Sequence, residues 1–434
     1  MITFKQLDLD ETMQRVVSEK GFTNPTDIQQ QAIPLVLEGS DLIATSSTGS
    51  GKTLAFGLGV LQQVQKGQGI QALVLAPTRE LAEQISLVLK DFAKPRGLRS
   101  TAIYGGVSLN PQANALRSAE IVVATPGRLL DHMERKSIDL SCVTHVILDE
   151  ADRMLDMGFL PDVKKILQAC PPRRQTLLFT ATLPAEVTKL AKQFMNNPQK
   201  IQSGTYVDPK KLDQVYYDVP GPMKFSLLYH LIQEEKDGLV MVFCNSRKFS
   251  DSVAHSLQEQ GIDALAIHGG LTQQARKNVL KRFHHAHKFV LVCTDVAARG
   301  LDIPGVSHVY NFDIPQDPKQ YVHRIGRTAR AGEDGKVINL ISNRDYDAFS
   351  MVLRENDLNI QKMDRPYIKK IELSPAKKPH PGQGRNPARN SSSRRPRQSH
   401  SRNNPRSSRK GSSFVKRKSK KSFGSDPKEY SSKF

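Results

Sequence analysis

Between about residues 40 and 345, short apolar runs alternate with longer stretches whose apolar positions recur at helical spacing. The runs predict strands at 41–45, 72–76, 100–104, 120–124, 145–148 and 176–179. A second series follows at 239–243, 264–267, 289–293, 308–311 and 337–341. Runs such as VILDE and KFVLVCTD are apolar throughout instead of alternating, as expected of strands covered on both faces. Strands alternating with helices imply right-handed crossovers and parallel sheets. Eleven strands are more than one such sheet usually holds. The helix-poor gap between the two series predicts an α/β chain with domains at 1–205 and 219–374, joined by a linker at 206–218.

After Ser374 the pattern disappears. Of the last 60 residues, 14 are Ser, and only seven are Ala, Val, Phe or Tyr. Such a segment cannot bury enough apolar surface to offset its chain entropy, so 375–434 is expected to be a disordered tail. The tail also changes the reading of charge. The whole chain carries a formal +20, but 375–434 holds 18 Lys/Arg against 2 Asp/Glu, a net of +16, and the preceding 374 residues only +4. An anionic partner is implied, and its electrostatic grip belongs mainly to the tail. Four cysteines without CxxC spacing exclude a disulfide framework and a zinc ribbon, and read as inert thiols. No apolar run approaches the ~20 residues of a membrane span, and no secretory signal is visible. A soluble chain of a reducing compartment, with no membrane partner, is expected.

The candidate chemistry starts at Ser46-Ser47-Thr48-Gly49-Ser50-Gly51-Lys52-Thr53, between a predicted strand and helix. Glycines let such a loop wrap phosphate with its N–H groups pointing inward at a helix N-terminus. Lys52 then reaches the β/γ-phosphates, and the Thr53 hydroxyl ligates Mg²⁺. The general P-loop pattern has Gly where this chain has Ser46. Read alone, the segment also fits a Gly-Ser turn before a helix, though less well. A P-loop also needs a carboxylate at the end of a neighbouring strand. The 145–148 strand ends in Asp149-Glu150-Ala151-Asp152, with Asp149 set to hold the metal through its hydration shell. Glu150 is set to polarise the attacking water. Isolated, the same cluster is a solvated helix N-terminus.

Taken together, these motifs resemble the DEAD-box RNA helicases of superfamily 2, over roughly residues 4–345. The resemblance implies two RecA-like parallel-sheet domains in tandem and use of ATP with Mg²⁺. Gly21-Phe22-Thr23-Asn24-Pro25-Thr26 with Gln29 matches the Q motif. By that match Gln29 pairs with adenine, Phe4 stacks on it, and Thr26, Ser47, Thr48, Gly49, Ser50, Gly51 and Asp302 complete the nucleotide site. Pro77, Thr78, Arg79, Gly105, Gly106, Thr125, Pro126, Gly127 and Arg128 are implied to grip the RNA backbone from the first domain, and Gln273, Arg276 and Thr294 from the second. In Tyr321-Val322-His323-Arg324-Ile325-Gly326-Arg327-Thr328-Ala329-Arg330, the resemblance makes Arg327 and Arg330 arginine fingers, catalytic with Lys52, Asp149 and Glu150. Asp152, Thr180, Thr182 and His323 are implied to couple hydrolysis to strand separation. Thr180 stands where the family usually has Ser, and Ala329 where it more often has Gly.

The expected function is ATP-dependent closure of two domains on RNA, local separation of short duplexes, and hydrolysis for release. Ribosome assembly or RNA remodelling in the cytoplasm, by a monomer, is the expected setting, with ribosomal or RNA-decay complexes as partners. An ATP-gated RNA clamp or annealing chaperone is the alternative, and a DNA helicase a third reading. The tail reads as an RNA tether, a solubilising end or, at 416–421, a localisation signal.

Overall fold

In the computed structural model, the residues described are 2–46, 49–203, 212–235, 237–298, 306–328 and 335–375. The tail expected at 375–434 lies outside them beyond its first residue, as do Ser47, Thr48, Asp302 and Arg330.

The first sheet consists of β1 (Leu42–Ser46), β2 (Ala72–Leu75), β3 (Ser100–Ile103), β4 (Ile121–Ala124), β5 (His145–Asp149), β6 (Gln175–Thr180) and β7 (Gln199–Ser203). Its order is β3-β4-β2-β5-β6-β1-β7, and every pairing is parallel. Successive residues of a strand enter different cores. Leu42 and Ala44 pack with Phe56, Leu89 and Phe179 on one face, while Ile43 packs with Leu73, Leu148 and Leu178 on the other. With both faces buried, most strand positions favour apolar side chains, which explains the long apolar runs.

The second sheet consists of β8 (Asp213–Asp218), β9 (Gly238–Phe243), β10 (Ala264–Ile267), β11 (Lys288–Cys293), β12 (Val306–Asn311), β13 (Lys336–Ile341) and β14 (Gln361–Met363). Its order, β10-β11-β9-β12-β13-β8-β14, repeats that of the first sheet position for position, again all parallel. The chain is therefore an α/β protein of two RecA-like parallel-sheet domains in tandem. One expectation needs correction. Residues 213–218, taken as linker, form β8 and pair with β13 and β14. The sequence DQVYYD carries only one buried residue, Val215, so backbone pairing, not an apolar run, defines this strand.

In a parallel sheet all C-terminal strand ends lie on one edge, where ligands collect. The first sheet's order divides that edge. The loops after β3, β4 and β2 form one half, and those after β5, β6 and β1 the other.

Candidate nucleotide and RNA sites

The β5-β6-β1 half gathers the candidate phosphate chemistry. After β1 the chain turns through Gly49 (φ +83°) and Gly51 (φ +92°) into α3 (Lys52–Gln63). A β-carbon on Gly51 would lie 2.4 Å from Gln29 Nε2, so both conformation and space demand glycine. Lys52 is buried, and its Nζ donates to Ser46 O at 3.2 Å across the loop. Ser46, the departure from the usual glycine, ends the strand with a buried side chain whose Oγ accepts from Ser50 Oγ at 3.3 Å.

The loop is buttressed by the N-terminus of α2 (Asp27–Leu37), where Thr26 and Gln29 make a capping box. Thr26 N donates to Gln29 Oε1 (3.0 Å), Gln29 Nε2 to Gly51 O (3.1 Å), and Thr26 Oγ1 to Ser50 O (2.8 Å). Both ends of the amide expected on adenine are thus engaged within the protein. Phe4, expected to stack on adenine, sits in the first domain's core with Leu7, Leu9 and Met13.

Asp149 ends β5 and is buried. Burial pushes its carboxyl up to about 6, against the pull of Lys52 and with the push of Glu150. Glu150 occupies the left-handed region (φ +53°), a strained setting for a side-chain-bearing residue at the start of α7 (Ala151–Asp156). That geometry turns its carboxylate to Arg153 Nη1 at 2.8 Å, both side chains buried. Beside them, Asp152 Oδ2 accepts from Thr182 N (2.8 Å) and Thr182 Oγ1 (3.0 Å). Asp152 N donates to Thr180 Oγ1 (3.3 Å), which donates to Thr182 O (2.6 Å). The acidic cluster and the loop after β6 are therefore one hydrogen-bonded unit.

The β3-β4-β2 half gathers the residues expected on RNA. Pro77 is buried, and Thr78 caps α4 (Arg79–Ala93), its Oγ1 accepting from Leu81 N at 3.3 Å. The Arg79 guanidinium lies so close to Gly106 (φ +82°) that a β-carbon there would approach Nη1 to 2.0 Å; Gly105 flanks the same group. Thr125 and Pro126 open α6 (Pro126–Glu134), and Gly127 faces open space. Arg128 Nη1 donates to Val107 O at 3.0 Å, joining this loop to the glycine pair.

In the second domain Gln273 and Arg276 lie on α12 (Gln273–His284), and Thr294, buried after β11, precedes α13 (Asp295–Ala298). Gln273 Nε2 and Arg276 Nε both reach Glu80 Oε1 of α4, at 3.2 and 2.7 Å, so a first-domain carboxylate bridges two residues expected on RNA. His323 is half-buried on α14 (Pro318–Ile325), and Arg327 is buried just beyond it. Arg324 between them was missed by sequence reasoning. Its Nε and Nη2 meet both Asp295 oxygens (2.6 and 2.7 Å), while its other donors meet Asn245, Asn311 and the carbonyl of Asp313, above the Phe243 ring. It fixes the turn that presents Arg327. Glu80 and Arg153 were missed as well. Arg153 is detectable as the cation one helical turn from Glu150, but Glu80 is legible only once α12 packs on α4.

The DEAD/DEAH box helicase family profile matches residues 26–190, and the helicase conserved C-terminal domain profile matches 223–332. The chain is similar to the ATP-dependent RNA helicase CshA of Listeria monocytogenes, at 42% identity over 84% of this chain and 71% of that one. It is similar to the DEAD-box ATP-dependent RNA helicase CshA of Geobacillus kaustophilus at 42% identity over 85% and 79%. Among solved structures it resembles Saccharomyces cerevisiae Dbp5 bound to RNA and ADP-BeF3, with a TM-score of 0.74 and 31% identity over 84% of this chain and 96% of that one. This chain belongs to the DEAD-box ATP-dependent RNA helicases.

Proposed function

We propose that the two domains close on RNA when ATP binds, separate short duplexes locally, and reopen after hydrolysis. The observation that carries this reading is the division of the chemistry. Lys52, Asp149 and Glu150 sit at the edge of the first sheet and Arg327 beyond α14 of the second domain, while Glu80 already bridges α4 to Gln273 and Arg276. Lys52 exchanges Ser46 O for phosphate oxygens as nucleotide enters. Asp149 and Thr53 fit Mg²⁺, since that ion needs only one or two protein oxygens beside phosphate and water, and the buried Asp149 carboxyl lacks a full counter-charge. When bound, the ion neutralises charge shared by the β- and γ-phosphates. Glu150, steadied by Arg153, orients the attacking water, and Arg327 and Arg330 stabilise the charge spread over the transferred phosphoryl oxygens. Asp302, Ser47 and Thr48 complete nucleotide binding in this reading. Because each ligand favours the closed pair, ATP and RNA strengthen one another's binding equally.

Among the described residues no helix is long and apolar enough to cross a membrane. The cellular setting we propose is cytoplasmic RNA remodelling, ribosomal precursors included, by a monomer; crosslinking followed by sequencing of bound RNA tests it. The mechanism is tested with a short RNA duplex, ATP and a non-hydrolysable analogue. Glu150→Gln should lower kcat by about 10²–10⁴ while ATP-dependent RNA binding persists. RNA-stimulated hydrolysis without strand separation in the unaltered protein would reject unwinding in favour of the clamp.

A further inference from the structure

After β14 the chain does not leave the second domain. Residues 364–375 cross α10 (Lys224–Glu234) and α11 (Arg247–Glu259) as a strap pinned by two serines. Ile371 N donates to Ser226 Oγ and Ser374 N to Ser256 Oγ, each at 2.9 Å. Ile368, Ile371 and Leu373 pack on the core that holds Phe225, Leu228, Val253 and Leu257. The strap's first half alternates with period two, as an extended chain does. Pro366 and Ile368 are half-buried, and Arg365, Tyr367 and Lys369 face out.

Tyr367 is 97% exposed, far beyond any other large hydrophobic side chain among the described residues, the next being Leu87 at 64%. An aromatic ring held in water at full exposure gains nothing from folding, yet its backbone is fixed at both sides. Arg365 and Lys369, two residues to either side, make no ion pair among the described residues, and the neighbouring Lys370 has only an exposed contact to Glu372. An exposed π-face on an anchored backbone, between two cations without ion pairs among the described residues, is a combination that binds single-stranded nucleic acid, with the ring stacking on a base and the cations taking flanking phosphates. Immediately afterwards, at Pro375, begins the segment of net +16.

We propose that Arg365, Tyr367 and Lys369 form a second RNA site on the strap, selective for unpaired bases and outside the loops at the strand ends. It rests on the reading that RNA is the substrate, and adds a place where one released strand is held. Duplex RNA offers its phosphates to the cations but no base to the ring, so the strap distinguishes the two forms.

The chain contains no tryptophan, so Tyr367→Trp in the full protein creates a sole indole reporter. Single-stranded RNA should quench its emission saturably, whereas a duplex of equal length should not. Met351→Trp, on the exposed side of α15 (Tyr346–Glu355), should respond to neither. Tyr367→Ala should weaken single-strand affinity without nucleotide by roughly fivefold or more, as loss of one base stack does, and Tyr367→Phe should retain it. Arg365→Ala and Lys369→Ala should each flatten log K against log salt by about 0.7. Anisotropy of labelled RNA separates the failures. A silent indole, or wild-type affinity in Tyr367→Ala, while RNA still binds, removes the strap site alone. No RNA binding by the unaltered protein, with or without an ATP analogue, removes the site and the helicase reading together.

Discussion

At the residue scale, buried titratable groups divide by what satisfies them. Asp149 keeps its charge cost near the phosphate loop, where a cation binds in the mechanism we propose. His145 carries a cost with no such purpose. It is buried at the start of β5, with Nδ1 beside Thr144 Oγ1 (2.9 Å) and Nε2 beside Gln63 Oε1 (3.3 Å), and burial lowers its pKa from 6.5 to about 4. Above pH 6.5 the imidazole is neutral in both folded and unfolded chains, so stability is independent of it. Between 6.5 and 4 the unfolded chain takes up a proton that the folded one refuses, and stability falls as pH falls, by roughly 3 kcal/mol in all. His145→Gln should therefore flatten the dependence of urea-unfolding free energy on pH by close to one proton across that window. An unchanged slope would show that His145 does not titrate with folding. The same scale shows what sequence reading reaches. Lys52, Asp149 and Thr182 are legible because their chemistry depends on neighbours along the chain. Glu80 and Arg324 are not, since their partners Gln273, Arg276, Asp295 and Asn311 arrive from other elements.

At the element scale, the pairing of β5 with β6 sets Asp152 against Thr180 and Thr182, and β6 also pairs with β1, which leads into the phosphate loop. In the mechanism we propose, a change at the nucleotide reaches the acidic cluster across these adjacent strand ends. Thr182→Val keeps the backbone donor to Asp152 at 2.8 Å and removes only the hydroxyl donor at 3.0 Å, at a cost near 1 kcal/mol. RNA-stimulated ATPase should stay within a few-fold of wild type, while duplex separation measured in the same reactions falls tenfold or more. Equal losses in both rates would mean that this contact supports the site without coupling it. Strands were legible where both faces are covered, as in β5, all of whose residues are buried. They were illegible at one end of each sheet: β7 and β14 lie at that edge and β8 beside it, and their sequences QKIQS, QKM and DQVYYD are mostly exposed or half-buried, whereas the opposite edge strands β3 and β10 keep a readable apolar run. At a sheet edge the backbone ladder continues after the apolar requirement has gone.

At the scale of the whole molecule, charge and catalysis are separated along the chain. Residues 1–374 carry a net of +4, and the 60 that follow carry +16. In the mechanism we propose, the folded unit grips RNA through loops at strand ends and one exposed ring on the strap, few of which depend on bulk charge. The tail has the opposite character, with cations such as Arg394, Arg395, Arg397 and Lys416–Lys421 scattered among serines and prolines. If eight of its cations meet phosphates of single-stranded RNA, their release of counterions adds roughly 5–6 to the slope of log K against log salt. Doubling the salt would then cost the full chain about fiftyfold more affinity than a chain ending at Ser374 loses. If the tail behaves as its composition predicts, as a 60-residue chain of r.m.s. span about 40–45 Å, those phosphates need not belong to the strand in the cleft. Truncation after Ser374 preserves the Ser256 anchor of the strap, and ATPase without RNA serves as the check that the folded unit is intact. The truncated protein should bind RNA more weakly at low salt, with a shallower salt dependence, and the two proteins should converge as salt rises. Identical slopes would assign RNA binding entirely to the folded unit and leave the tail's charge to solubility or localisation.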